Sequence, residues 1–166
     1  VNRDLGNLSE SIKFFQKAID IKKDFFVAYN NLGIIYKEQG KFENAKSNFL
    51  KSIEINSIYS DPYNNLGLIY KDENKTDQAE KYFLKTIELD PKNLHAINNL
   101  GNLLKNKGKI LQAEKYFIRA IEINNKYFDS FNNLMDFIIN MRKKPPVVEF
   151  LLSLWFIFHI PKTGRR

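Results

Sequence analysis

The sequence predicts an all-α fold: a solenoid of antiparallel helix pairs. Three observations carry that prediction. The octet Tyr29-Asn30-Asn31-Leu32-Gly33-Ile34-Ile35-Tyr36 returns as Tyr63 to Tyr70, as Ile97 to Leu104 and, more altered, as Phe131 to Ile138, each copy 34 residues after the last. A fixed period of that size marks an array of one supersecondary unit, each copy burying its apolar face against the next. Within each period the apolar residues recur at helical spacing, and no stretch before Pro145 reads as a strand. Glycine and proline fall between the periodic segments, where helices end and begin.

Taken in order, residues 4–22 read as one amphipathic helix through Ile12, Phe15, Ala18 and Ile19, with Asn7 or Ser9 as its expected cap. Phe26 to Gln39 is a second helix, ended by Gly40, and Phe42 to Ile55 a third, with Ala45, Phe49 and Ile53 on one face. Asp61-Pro62 opens the next, with proline in the first turn where its missing N–H costs nothing. Its partner runs from Thr76 to Leu89, stopped by Asp90-Pro91. Leu94 to Asn106 and Ile110 to Ile123 form another pair, and Tyr127 to Met141 one more first helix. The expected units are 1–25 (the second helix of a partial repeat), 26–59, 60–93 and 94–127 (full repeats), 128–141 (the first helix of a partial repeat) and 142–166 (a basic linker and apolar tail).

Composition narrows the function classes. The 166 residues carry a net charge of +7, but residues 1–141 hold 20 Lys and Arg against 18 Asp and Glu, while residues 142–166 hold 6 against 1. The repeats are nearly neutral and the basicity sits in the tail, so nucleic-acid binding by the array is not expected. Cysteine is absent and only His95 and His159 are present, which removes thiolate and argues against histidine metal sites. No metal, cofactor or catalytic residue is expected. No apolar signal segment opens the chain, and the lack of cysteine fits a reducing compartment; a cytoplasmic protein is expected.

The residues at fixed places in each period resemble the tetratricopeptide repeat. Counting positions from residues 26, 60 and 94, that family prefers a large residue at 4, Leu at 7, Gly at 8, Tyr at 11, Ala at 20, an aromatic at 24, Ala at 27 and Pro at 32. This chain places Tyr29, Leu32, Gly33, Tyr36, Ala45, Phe49, Ser52 and Ser57 there, then Tyr63, Leu66, Gly67, Tyr70, Ala79, Phe83, Thr86 and Pro91, then Ile97, Leu100, Gly101, Leu104, Ala113, Phe117, Ala120 and Asn125. The partial repeats add Gly6, Ser11, Phe15 and Ala18 at the front, and Met135 where glycine is the rule. The resemblance covers about 1–141. It implies that the helix pairs stack into a right-handed superhelical solenoid, that Gly33, Gly67 and Gly101 face Ala45, Ala79 and Ala113 across each hairpin, and that first helices line a concave groove.

Positions 2, 5, 6, 9, 12 and 13 of a first helix share one stripe at 100° per residue. Position 5 is Asn30, Asn64, Asn98 and Asn132; position 6 is Asn31, Asn65, Asn99 and Asn133; position 12 is Lys37, Lys71, Lys105 and then Ile139. Asparagine is a mediocre helix former, and its amide offers both donor and acceptor to the backbone of an extended peptide. The position-6 column resembles the asparagine ladder of O-linked N-acetylglucosamine transferases, which holds substrate peptide backbone. The chain has 20 Asn, several of them off the stripe, such as Asn44, Asn48, Asn74 and Asn124, so compositional bias is the rival account. The lysine column reads first as a solvated face and second as a track for an acidic ligand. The carboxylate clamp of chaperone-binding tetratricopeptide proteins needs Lys at position 5 and Asn at position 9; position 5 is Asn throughout, and position 9 is Ile34, Leu68, Asn102 and Asp136. Chaperone C-termini are therefore not the expected ligand. His95, at position 2, reads as a polar residue of the groove.

After Arg142-Lys143-Lys144-Pro145-Pro146 comes an apolar run from Val147 to Ile160. As a helix it would reach about 21 Å, short of the ~30 Å hydrocarbon core, so a membrane span is not expected. Phe156-Ile157-Phe158-His159-Ile160-Pro161-Lys162-Thr163-Gly164 resembles the opening strand and phosphosulfate-binding loop of carbohydrate sulfotransferases, whose motif continues with a second glycine and a hydroxyl residue. Arg165 and Arg166 stand there instead. The resemblance implies that Lys162, Thr163 and Gly164 are the vestige of a donor-nucleotide loop and that the chain is the front of a longer repeat–sulfotransferase protein, without catalysis of its own. The expected function is a scaffold that binds a protein or peptide in its groove, with self-association through uncapped ends as a further possibility.

Overall fold

The computed structural model describes residues 2–124 together with Asn132 and Asn133, with residues 2–7 as backbone. Among the described residues there are seven helices and no strand: α1 (Asn2–Ile21), α2 (Phe26–Glu38), α3 (Phe42–Ile55), α4 (Asp61–Asp72), α5 (Thr76–Leu89), α6 (Leu94–Asn106) and α7 (Ile110–Ile123). Three antiparallel hairpins, α2–α3, α4–α5 and α6–α7, follow one another, and α1 packs against α2. Each hairpin touches the next through α3 on α4 and α5 on α6, while the first helices α2, α4 and α6 are also neighbours. The fold is an all-α helical repeat solenoid, as the 34-residue period predicts. The expected helix at Tyr127–Met141 and the tail lie outside the described residues, apart from Asn132 and Asn133, which are helical.

Local chemistry explains the boundaries. Each first helix ends with a residue in the left-handed region: Gly40 at φ 72°, Asn74 at φ 59° and Gly108 at φ 73°. The bonds around Gly40 are a Schellman pair, Gly40 N–H to the Lys37 carbonyl at 2.9 Å and Lys41 N–H to the Tyr36 carbonyl at 2.8 Å. The second and third copies repeat it through Asn74 and Gly108. Asparagine tolerates this backbone better than most residues, so the turn survives at position 15 without glycine. Pro62 sits in the first turn of α4 as expected, and Asn93 caps α6 by accepting the Ala96 N–H at 3.0 Å. The first helix departs from expectation: α1 starts at Asn2, so residues 7 and 9 lie inside it rather than at its start.

The core is built from columns at the same repeat positions. Leu32, Leu66 and Leu100 are buried, as are Ala45, Ala79 and Ala113, and Phe49, Phe83 and Phe117. The nearest neighbours of the glycine column are phenylalanine rings, a contact that the expected glycine–alanine facing did not include. A Cβ on Gly33 would meet the Phe49 ring at 2.5–2.9 Å, one on Gly67 the Phe83 ring at 2.6–3.1 Å, and one on Gly101 the Phe117 ring at 2.5–3.0 Å. The atoms nearest each glycine are thus those of the position-24 phenylalanine ring, and the position-20 alanine is buried beside that ring. Ala45, for example, is buried in a cluster with Phe49, Leu66 and Ile69 of the next hairpin. The family's alanine at position 27 is replaced in the first two hairpins, and both hydroxyls are satisfied: Ser52 Oγ donates to the Phe26 carbonyl at 2.8 Å and Thr86 Oγ1 to the Tyr82 carbonyl at 3.0 Å.

Candidate binding groove

The stripe of first-helix residues is placed by the side-by-side packing of α2, α4 and α6. Its asparagines make a hydrogen-bonded ladder across the hairpins. Asn65 Nδ2 donates to Asn30 Oδ1 at 3.3 Å, Asn99 Nδ2 to Asn64 Oδ1 at 3.3 Å, and Asn133 Nδ2 to Asn98 Oδ1 at 2.9 Å. Position 6 of each repeat therefore donates to position 5 of the repeat before it. Asn30 passes the chain on, donating to the Tyr59 hydroxyl at 3.4 Å, which donates in turn to Asp61 Oδ2 at 2.8 Å. Burial, reinforced by the Asp61 carboxylate, holds the Tyr59 phenol well above its ordinary value, so it stays a donor.

Position 5, expected on the groove stripe with its amide offered to a peptide, is instead largely drawn into the packing between hairpins. Asn30 is 2% exposed and Asn98 9%, both within the seam between hairpins, while Asn64 is partly buried. Asn132 is exposed. The physical reason is azimuth: positions 5 and 6 share a stripe, but 100° of rotation turns position 5 toward the following hairpin and position 6 back toward the preceding one. A usable signal was present, since two asparagine columns at a 34-residue period place complementary amides 35 residues apart.

Asn31, Asn65, Asn99 and Asn102 are partly buried, and each position-6 amide in the ladder keeps a carbonyl and a second N–H beyond its seam bond. Lys37, Lys71 and Lys105 stand in the last turns of α2, α4 and α6. Lys71 Nζ lies 3.8 Å from the Asp72 carboxylate, with both side chains about half exposed, whereas Lys37 and Lys105 have no ion-pair partner among the described residues. His95 is exposed at position 2. Sequence reasoning missed Tyr59 and Asp61 at the edge of the stripe, because Tyr59 falls in the turn between repeats. Lys162, Thr163 and Gly164 lie outside the described residues. Among the described residues no helix is long and apolar enough to cross a membrane.

A second polar system ties the hairpins together. Lys46 Nζ bridges Glu43 at 2.6 Å and Glu73 at 2.8 Å, over the Tyr70 ring. Lys107 Nζ bridges Asp77 at 2.7 Å and Glu80 at 2.6 Å. Hydrogen bonds donated to Glu43 and Glu73 hold the Lys46 ammonium well above its ordinary value, and the Lys46 and Lys75 ammonium groups hold Glu73 below its own. An open depression elsewhere, lined by Tyr63, Tyr82, Leu84 and charged residues of α5, contains none of the predicted site residues.

Comparisons with known proteins agree with this architecture. The tetratricopeptide repeat matches residues 26–59, 60–93 and 82–115, and a TPR repeat match covers residues 1–40. No curated protein matches the chain. A solved structure of MamA is 28% identical, covers 75% of this chain and 72% of its own, and superposes with a TM-score of 0.66. Pseudomonas aeruginosa pilF superposes at 0.77 with 18% identity, over 92% of this chain and 67% of its own. The first TPR of Spaghetti (RPAP3), solved with the HSP90 peptide SRMEEVD, superposes at 0.64 with 20% identity, over 68% of this chain and 89% of its own. At those two identities the likeness is one of fold. The repeat matches run without a gap from residue 1 to residue 115, well over half of the 166, and the chain belongs to the tetratricopeptide repeat family.

Proposed function

We propose that this protein is an interaction scaffold that holds an extended peptide along the stripe of its first helices. The observation that carries the reading is the amide ladder, which repeats across three seams and keeps spare donors and acceptors at Asn65 and Asn99. A column of fixed, evenly spaced amides suits a peptide backbone, whose own N–H and C=O groups are evenly spaced. The repeat family and a structural neighbour solved with a bound peptide support a protein or peptide as partner.

The test is selection of binders from a random peptide library with the full chain, followed by Asn65→Ala with Asn99→Ala. The double variant is expected to lose capture of the selected peptides. Because both amides also hold the seams, thermal melting is followed alongside; a variant that still melts cooperatively and binds unchanged rejects the ladder as the binding element. A second reading, in which the chain is the non-catalytic front of a repeat–sulfotransferase protein, rests on the sequence Phe156 to Gly164 alone.

A further inference from the structure

The array carries two lysine columns, and the structure treats them differently. Position 16 is Lys41, Lys75 and Lys109. All three are engaged within the fold: Lys41 over the Tyr36 ring, Lys75 on Glu73 at 2.8 Å and over the Tyr70 ring, and Lys109 near Glu80 at 3.6 Å. Position 12 is Lys37, Lys71 and Lys105, on the same stripe as the asparagines. Of these, only Lys71 approaches a carboxylate among the described residues, at 3.8 Å and with its side chain 41% exposed. A lysine in the last turn of a helix opposes the helix dipole, which accounts for a cation in each place but not for leaving it without a counter-ion.

The two observations together reverse the relative weight of the columns. The asparagines are committed in part to stacking the hairpins, and the position-12 lysines are committed to almost nothing. We propose that the peptide held on this stripe is acidic, with carboxylates meeting Lys37, Lys71 and Lys105 in turn. Charge complementarity along the stripe selects and orients the segment, while the amides of Asn65, Asn99 and Asn102 take its backbone. The proposal rests on the groove reading above and deepens it by naming the ligand's chemistry.

The experiment uses the full chain and a labelled extended peptide rich in Glu and Gly, its Glu→Gln counterpart, and a single-stranded oligonucleotide of similar charge, read by fluorescence anisotropy. The Glu peptide is expected to bind about tenfold or more tightly than the Gln peptide, as a few ion pairs of ordinary surface strength would give, and to weaken with added salt. Lys37→Gln with Lys71→Gln and Lys105→Gln should erase the difference, and the matching Lys→Arg variant should keep it. The circular dichroism melt of each variant shows that the fold is retained. Equal binding of Glu and Gln peptides overturns the acidic ligand while leaving the groove reading standing. If neither peptide binds, and library selection also yields nothing, both readings fall. Oligonucleotide binding as tight as that of the Glu peptide overturns the assignment to a peptide.

Discussion

The seam between the hairpins α2–α3 and α4–α5 and the seam between α4–α5 and α6–α7 are built at the same repeat positions with opposite charges. In the first, position 21 is Lys46 and position 14 of the next repeat is Glu73; in the second, position 21 is Glu80 and position 14 is Lys107. Position 18 stays acidic in both, as Glu43 and Asp77, and serves the lysine wherever it sits. The apolar parts differ too. The first seam buries Ala45, Phe49, Leu66 and Ile69, flanked by Tyr36, Tyr70 and Tyr82, with Tyr70 and Tyr82 stacked at 5.3 Å. The second buries a larger set that includes Phe83, Ile97, Leu100, Leu103 and Leu104. The period fixes which positions meet, and not what fills them. Complementarity is settled seam by seam, so adjacent hairpins are matched to each other rather than to a consensus.

The largest expected effect comes from the second seam's apolar cluster. Phe83 is fully buried and lies on Gly67. Phe83→Ala should cost about 3–5 kcal/mol in urea unfolding, as truncation of a well-packed aromatic does. Because a repeat array is coupled only to its neighbours, hydrogen exchange in α6 should speed up more than in α2. Equal acceleration in both would mean that the described hairpins unfold as one unit. Next in size is Gly67→Ala. Its new methyl would stand 2.6 Å from the Phe83 ring, a buried aromatic that cannot swing aside, so overpacking of about 1–3 kcal/mol is expected in the same assay. The control is Gly108→Ala, which meets nothing within 4 Å and is penalised only for its positive φ.

The helices, their order and the turn at position 15 were legible because each depends on a residue type repeated at one spacing. What was not legible depends on azimuth or on variation. Gly33 has Ala45 at position 20 and Phe49 at position 24 as candidate partners, one turn apart on the facing helix and equally periodic; only the packed structure shows the ring on the glycine. Asn30 and Asn31 share a stripe, yet one is buried in the seam and the other is not. The charged seam went unread for the opposite reason. Positions 14 and 21 change identity from repeat to repeat, so a search for constancy passes over Lys46, Glu73, Glu80 and Lys107. Compensation between those positions, across an interval of 27 residues, was the signal.

That compensation can be broken and remade. Lys46→Glu alone would set a second carboxylate beside Glu43 and face it with Glu73; Glu73→Lys alone would set two ammonium groups together with Lys75 close by. Each single change should lower the melting temperature. The double variant would reproduce the second seam, with Glu43, the new Glu at 46 and the new Lys at 73 in the places of Asp77, Glu80 and Lys107, and stability should return towards the starting value. The coupling measured by this cycle should fall in the lower part of the range for contacting residues, about 0.5–3 kcal/mol, because salt and solvent reach both side chains. Acid separates the charge effect from packing. Glu73 is held below its ordinary value, so its contribution is complete above about pH 5 and is lost as the pH falls through the lowered value. Glu73→Gln should therefore flatten that part of the acid-melting curve, whereas Leu66→Ala, which weakens the same seam without touching a charge, should shift the whole curve down and leave its shape alone. A Glu73→Gln variant with an unchanged acid profile would show that the first seam is held by its apolar cluster, with the ion pairs setting only which hairpins match.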